Sequence, residues 1–341
     1  MAVVPAPPRG ASTPARGAGQ RVPPEQTRAR YPDASGFVER DGTRVFYEVY
    51  GSGEPTVLLL PTWSIIHSRS WKLQIPDLAR RFRVVTFDPR GNGRSDRPTT
   101  ADAYAEAEYA ADALAVMDAT RTERAVLISL SMGAQRALLV ASDHPERVTG
   151  AVFIGPALPL ASTIPGRAVV GRFTEELDSD EGWAKYNRHY WRRDHHGFLE
   201  FFFGECFSEP HSTKPREDTV AWGLETDPES LILSQLGPGL RDRDEVLARC
   251  GRVGCPVLVI HGSDDRIRPT SHGEELAALT GGRFARIEGA GHIPNVRDPV
   301  QVNLLIRDFV QSIGTTLSIG TTLGVGTTLS IGTTLGVGAT R

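Results

Sequence analysis

Leu127-Ile128-Ser129-Leu130-Ser131-Met132-Gly133 is the stretch on which the fold turns. Its first residues continue the apolar run Ala125–Leu130, which is short and branched enough for a buried central strand. From Met132 to Ser142 the composition becomes helical. Ser131 stands at the join, with small residues two before it (Ser129) and two after it (Gly133). A serine hydroxyl is a weak nucleophile unless it is exposed and held near a base, and a sharp strand-to-helix turn exposes it. Small neighbours suit such a turn because strand and helix backbones approach closely there. The helix start also points the Met132 amide at a place where negative charge can develop. Alone, S-x-S-x-G is a weak signal that an ordinary serine capping a helix fits better, so its weight depends on its partners.

Outward from this turn, strands and helices alternate from about Phe37 to Ser312. Thr43–Tyr50, Thr56–Leu60, Arg83–Phe87, Val148–Ile154, Pro256–Ile260 and Phe284–Ile287 have strand character, while Ala101–Ala119, Ser271–Leu279 and Pro299–Gln311 have helical character. That alternation predicts an α/β fold with a doubly wound, mostly parallel sheet of about eight strands. The pattern stops between residues 157 and 240, a stretch carrying Trp183, Tyr186, Tyr190, Trp191, Phe198, Phe201–Phe203, Phe207 and Trp222. It is expected to be a helical insertion between core segments 36–156 and 241–312. Residues 1–35, rich in Pro, Ala, Gly and Arg, are expected to be a disordered tail. Residues 313–341 form a second, low-complexity tail, where GTTLSI and GTTLGV alternate with little charge and some tendency to β-association.

Composition excludes several classes. The chain has 341 residues, 40% hydrophobic and 23% charged, with a formal net charge of -3, which is no footprint of a nucleic-acid binder. No run reaches the ~18 apolar residues of a membrane-spanning helix. Three cysteines, none in a C-x-x-C pair, make neither a disulfide framework nor a zinc site, so a reducing, cytoplasmic setting is expected.

A reactive serine needs a histidine base and a carboxylate to orient it. His292, in E-G-A-G-H-I-P directly after the last strand, can point back over the sheet. His261 lies inside an H-G turn, where burial is expected. His195 and His196 fall in the insertion and are expected at the surface. His196 and Glu200 are one helical turn apart, but no third ligand completes a metal site. The carboxylate is expected after the Pro256–Ile260 strand, where H-G-S-D-D-R-I-R-P offers Asp264 and Asp265. The resulting order, serine then acid then histidine, is that of a doubly wound hydrolase sheet.

These residues, with F-D-P-R-G-N-G-R-S (Phe87–Ser95), give the span from Phe37 to Ser312 its resemblance to the α/β-hydrolase superfamily. The branch it resembles contains lidded serine esterases, C–C hydrolases and cofactor-free haloperoxidases. The resemblance implies the acid three residues after the H-G glycine, which selects Asp265 for a triad with Ser131 and His292. It implies no metal or organic cofactor and a lid where the aromatic insertion lies, and it makes R-G-N-G-R-S a structural turn bordering the site. That segment lacks the Gly-Lys pair of a phosphate loop. By position, the Trp63 amide would join that of Met132 in an oxyanion hole, and Trp63, Trp183 and Trp191 would wall a pocket for an apolar acyl or aryl group. Two positions depart from the family pattern: Ser129 replaces the first elbow glycine, and Pro61-Thr62 replaces His-Gly. The function expected is hydrolysis of a small carboxylic ester or lactone through an acyl-enzyme. C–C bond hydrolysis on the same triad, or a non-catalytic receptor on the same fold, are the alternatives.

Overall fold

The computed structural model describes residues 29–160 and 167–323, with side chains to residue 313. Eight strands form one sheet: β1 (Ala34–Arg40), β2 (Thr43–Tyr50), β3 (Thr56–Leu59), β4 (Arg83–Phe87), β5 (Ala125–Leu130), β6 (Val148–Ile154), β7 (Val257–Gly262) and β8 (Arg283–Ile287). Their order is β1-β2-β4-β3-β5-β6-β7-β8. β1 pairs with β2 and β2 with β4 antiparallel, and every later pairing is parallel. The expected mostly parallel sheet is therefore what this chain forms.

Central strands are predominantly apolar because helices cover both faces. All residues of β3 and β5 are buried. Alternate side chains divide between two cores: Val126, Ile128 and Leu130 join one cluster, Ala125 and Leu127 the other. The helices Glu106–Ala119, Gly133–Asp143 and Ser271–Thr280 lie close to the segments expected. The first begins later than the sequence suggests, after a short 3-10 turn at Asp102–Tyr104.

At both ends the chain departs from expectation. Ala34 and Ser35 pair with Val49 and Glu48, so regular structure begins before residue 36. Asp41 and Gly42, at φ 52° and 74°, supply the two left-handed positions of a tight hairpin loop that joins β1 to β2. At the other end the last helix spans Pro299–Leu323, so the first repeats continue a helix instead of forming a separate tail. An amphipathic segment burying Val302, Ile306, Phe309, Val310 and Ile313 has already met the nucleation cost, and adding residues to a formed helix is cheap. The rest of the two expected tails, residues 1–28 and 324–341, lies outside the described residues.

Between β6 and β7 no strand occurs among the described residues. Four helices, Arg188–Arg193, His195–Cys206, Thr213–Gly223 and Pro228–Leu236, lie there, and Arg243–Cys250 leads into β7. Their aromatic side chains pack on the residues that follow β3: the Trp63 ring lies 5.6 Å from both Trp191 and Phe202. Among the described residues no helix is long and apolar enough to cross a membrane.

Candidate active site

β5 delivers Ser131 into a backbone conformation that L-residues avoid. Its φ is 52°, in the left-handed region, and Gly133 immediately opens the next helix. Such a position costs about 1–3 kcal/mol and persists only where neighbours hold it. Here Ser131 N–H donates to the Ile154 carbonyl at 2.9 Å, and its own carbonyl accepts from Ala157 N–H at 3.1 Å. The close approach at Gly133 is real: a Cβ there would meet the Pro61 carbonyl oxygen at 2.9 Å. Ser129 is accommodated because its hydroxyl donates to the Val152 carbonyl at 3.1 Å.

The loop after β8 brings His292 to this turn. His292 Nε2 lies 2.8 Å from Ser131 Oγ, and Nδ1 lies 2.7 Å from Asp265 Oδ2. The partners fix the proton positions. An ionised carboxylate only accepts, so Nδ1 carries a proton, and neutral Nε2 is left to accept from the serine hydroxyl. His292 N–H donates to the Cys206 carbonyl at 2.9 Å, so the end of an inserted helix holds the histidine loop. Gly155, at φ 48°, lets the β6 end approach the imidazole, since a Cβ there would stand 3.2 Å from Nδ1.

Asp265 is fixed from four sides. Oδ1 accepts from Ile267 N–H at 2.7 Å and Arg268 N–H at 2.8 Å. Oδ2 receives His292 and also His261, whose Nε2 lies 3.0 Å away. His261 Nε2 faces the Arg268 carbonyl at 3.0 Å as well, so both its partners accept and Nε2 must donate. Burial by itself would push the Asp265 carboxyl up, but the His292 charge and the hydrogen bonds of both imidazoles outweigh it and hold the group well below the usual carboxylate range. Asp264 is exposed and its carboxylate accepts from Ser263.

Pro61-Thr62-Trp63, where the sequence departs from the family pattern, is held by a residue the sequence did not single out. Buried Arg136, one turn into the helix after Ser131, donates from Nη1 to the Pro61 carbonyl at 2.8 Å and to the Thr62 carbonyl. Glu106 pairs with its Nε at 2.9 Å, and the Tyr109 ring lies 3.7 Å from its guanidinium carbon. Among the described residues neither the Trp63 nor the Met132 amide has a hydrogen-bond partner, and both residues line the cavity above Ser131.

That cavity, about 70 Å³, also reaches Phe202, Phe203 and two arginines, Arg167 and Arg268. Trp183 and Trp191, expected as pocket walls, do not line it. Trp191 is fully buried behind Trp63, its indole donating to the Lys185 carbonyl at 3.0 Å, and Trp183 packs edge-on to Phe201. Their bulk serves the hydrophobic packing of the insertion. Of the residues sequence reasoning missed, Arg268 and His261 sit inside the quoted acid-loop segment, whereas Arg167 follows a stretch with no periodicity to mark it. His196 is exposed and 4.0 Å from Glu200, and no group of three metal-ligating side chains occurs among the described residues.

Residues 55–299 match the family described as alpha/beta hydrolase fold. The chain belongs to the alpha/beta hydrolase fold family. The hydrolase is 27% identical over 272 residues to the AB hydrolase superfamily protein YisY of Bacillus subtilis, covering 79% of this chain and 96% of that protein. Among solved structures it resembles an esterase from Rhodococcus sp. ECU1013, with a TM-score of 0.66 at 26% identity over 81% of this chain and 98% of the other. An enol-lactonase from Burkholderia xenovorans LB400, 22% identical with a TM-score of 0.65 over 81% of this chain and all of the other, shares the fold.

Proposed function

We propose that this hydrolase cleaves a small carboxylic ester or lactone through an acyl-enzyme. The observation that carries the reading is the continuous relay from Asp265 Oδ2 through His292 to Ser131 Oγ, with contacts of 2.7 Å and 2.8 Å. His292 Nε2 takes the hydroxyl proton as Ser131 Oγ attacks the substrate carbonyl, forming the C–O bond of a tetrahedral intermediate. The Met132 and Trp63 amides, free of other partners, receive the oxyanion. Asp265 keeps the imidazole in the useful tautomer and stabilises its cation. The protonated His292 then gives its proton to the leaving alkoxide, which departs with the electrons of the broken bond. Water, deprotonated by His292, attacks the acyl-enzyme, and Ser131 recovers its proton as the acid is released.

His261 is a positioning residue in this scheme, since it touches the acid and not the substrate. The helices between β6 and β7 act as a lid: they supply Phe202 and Phe203 to the cavity wall and brace the histidine loop through the Cys206 carbonyl. Hydrolysis of short-chain nitrophenyl esters by the purified protein, compared with Ser131→Ala, tests the reading. Activity in the parent that is lost in the variant supports it. Equal, background-level rates remove it.

A further inference from the structure

Among the described residues, the wall of the Ser131 cavity carries two guanidinium groups and no carboxylate. Arg167 enters from the segment after β6 and Arg268 from the acid loop, and no described Asp or Glu lines the cavity with them. Burial lowers the pKa of both groups, and the neighbouring Arg268 charge lowers that of Arg167 further. The Nε of each is sealed from solvent and has no hydrogen-bond partner. Arg167 is nevertheless held in place: Nη1 donates to the Ile267 carbonyl, and the guanidinium stacks 4.0 Å from the Trp183 ring centre.

Asp265 lends both groups coulombic attraction but no hydrogen bond, because its oxygens already receive two backbone amides and two imidazoles. Residues 161–166, just ahead of Arg167, read Ala-Ser-Thr-Ile-Pro-Gly and hold no acid. Two like charges brought together in a largely apolar cavity repel each other and lose hydration, and folded proteins pair such groups. With no carboxylate in the described cavity wall to take a hydrogen bond from either group, the anion that completes the site is one that arrives with the ligand. A carboxylate fits best: guanidinium forks match its planar oxygens, and one negative charge costs less to desolvate in so small and apolar a space than a phosphate dianion.

We propose that Arg167 and Arg268 form a carboxylate clamp, and that the substrate is an ester or lactone bearing a second, free carboxylate, such as a half-ester of a dicarboxylic acid. The proposal rests on the serine-hydrolase reading of the same cavity and narrows its substrate class. Binding through the clamp would place the scissile carbonyl near Ser131 while the aliphatic spacer lies against the apolar wall.

The test uses the full chain and two readouts. In the first, kcat/KM is measured at pH 7 for monomethyl esters of succinate through suberate and for the matching dimethyl esters. In the second, a neutral fluorophosphonate labels Ser131 in the presence of the free dicarboxylates or of the dimethyl esters. The expected result is a preference of about ten- to a hundredfold for the best half-ester over its diester, the range of a charge-assisted hydrogen bond, together with protection from labelling by a dicarboxylate of similar length. Arg268→Met and Arg167→Met should bring the half-ester to diester ratio towards one, mainly through KM for the half-ester. Neutral esters that are turned over as well as the anions, or protection that is absent or no better with the dicarboxylates, overturn the clamp while labelled Ser131 leaves the hydrolase reading standing. No labelling of Ser131 at all overturns the hydrolase reading and the clamp with it. The comparison of substrates on the parent needs no variant to fold.

Discussion

Replacing Asp265 by asparagine changes almost no volume but reverses the hydrogen-bond polarity at one of its two ends. The Ile267 and Arg268 amides, 2.7 Å and 2.8 Å from Oδ1, are fixed donors and will claim the asparagine carbonyl. The new NH2 group must then face His292 Nδ1 and His261 Nε2, which now meet a donor where they met an acceptor. His292 can relieve the clash by moving its proton to Nε2, so that this nitrogen donates towards Ser131 Oγ at 2.8 Å and can no longer accept. The base is present in place but in the wrong tautomer. A change of this kind costs about 10⁴ in kcat, or about 5.4 kcal/mol at 1.36 kcal/mol per decade. Initial rates of ester hydrolysis measure it, with Asp264→Asn beside it as the control, since that neighbour is exposed and touches neither imidazole. An Asp265→Asn protein that keeps its fold by circular dichroism and retains a tenth of parent activity would refute the tautomer argument.

The strain at Ser131 predicts that Ser131→Gly abolishes hydrolysis and stabilises the fold by about 1 kcal/mol in urea denaturation, because glycine accepts φ 52° without penalty; a variant less stable than the parent would count against the strain. Arg136→Met leaves Glu106 buried without its partner and two carbonyls of the Pro61-Thr62 turn unpaired, so it should cost about 3–5 kcal/mol of stability and slow turnover in whatever folded fraction remains. A loss under 1 kcal/mol would show that the turn does not depend on it. The depressed Asp265 carboxyl contributes stability that is fully present above its unfolded pKa of about 3.9 and is lost as pH falls through the lower folded value. The stability gap between parent and Asp265→Asn should therefore hold steady from neutral pH to about 5 and narrow below about 4; a gap that widens on acidification would contradict the sign.

The parts of this molecule legible in the sequence are those whose physics is local. β3 and β5 are wholly buried and apolar apart from Thr56 and Ser129, and a strand buried on both faces has little freedom to look otherwise. Ser131, Asp265 and His292 each follow a strand at its carboxyl end, so strand assignment alone places them at one edge of the sheet. What could not be read depends on contacts between distant segments. Arg136 looks like any helical arginine until Pro61 and Thr62, more than seventy residues earlier, turn out to lie beneath it. Trp183 and Trp191 show how aromatic residues in an insertion signal burial without saying which face meets the cavity. β1 was missed although the Asp41-Gly42 pair ahead of an alternating strand is a local hairpin signal, because the polar, half-exposed β1 lacks the run of apolar residues that marks the central strands. The arginine pair was invisible for a further reason: what marks it is that each Nε is buried without a hydrogen-bond partner, and only coordinates reveal what a side chain lacks.

In the proposed mechanism His292 makes the Ser131 hydroxyl reactive. The most direct measurement of this is intact-mass and peptide mapping after exposure to a fluorophosphonate, on the parent and on His292→Ala. The parent should gain one phosphonyl group, located on the peptide containing Ser131, and the variant should react at least a hundredfold more slowly, in line with the contribution of a general base (about 10²–10⁴). Modification elsewhere, or equal rates in the two proteins, would contradict the account.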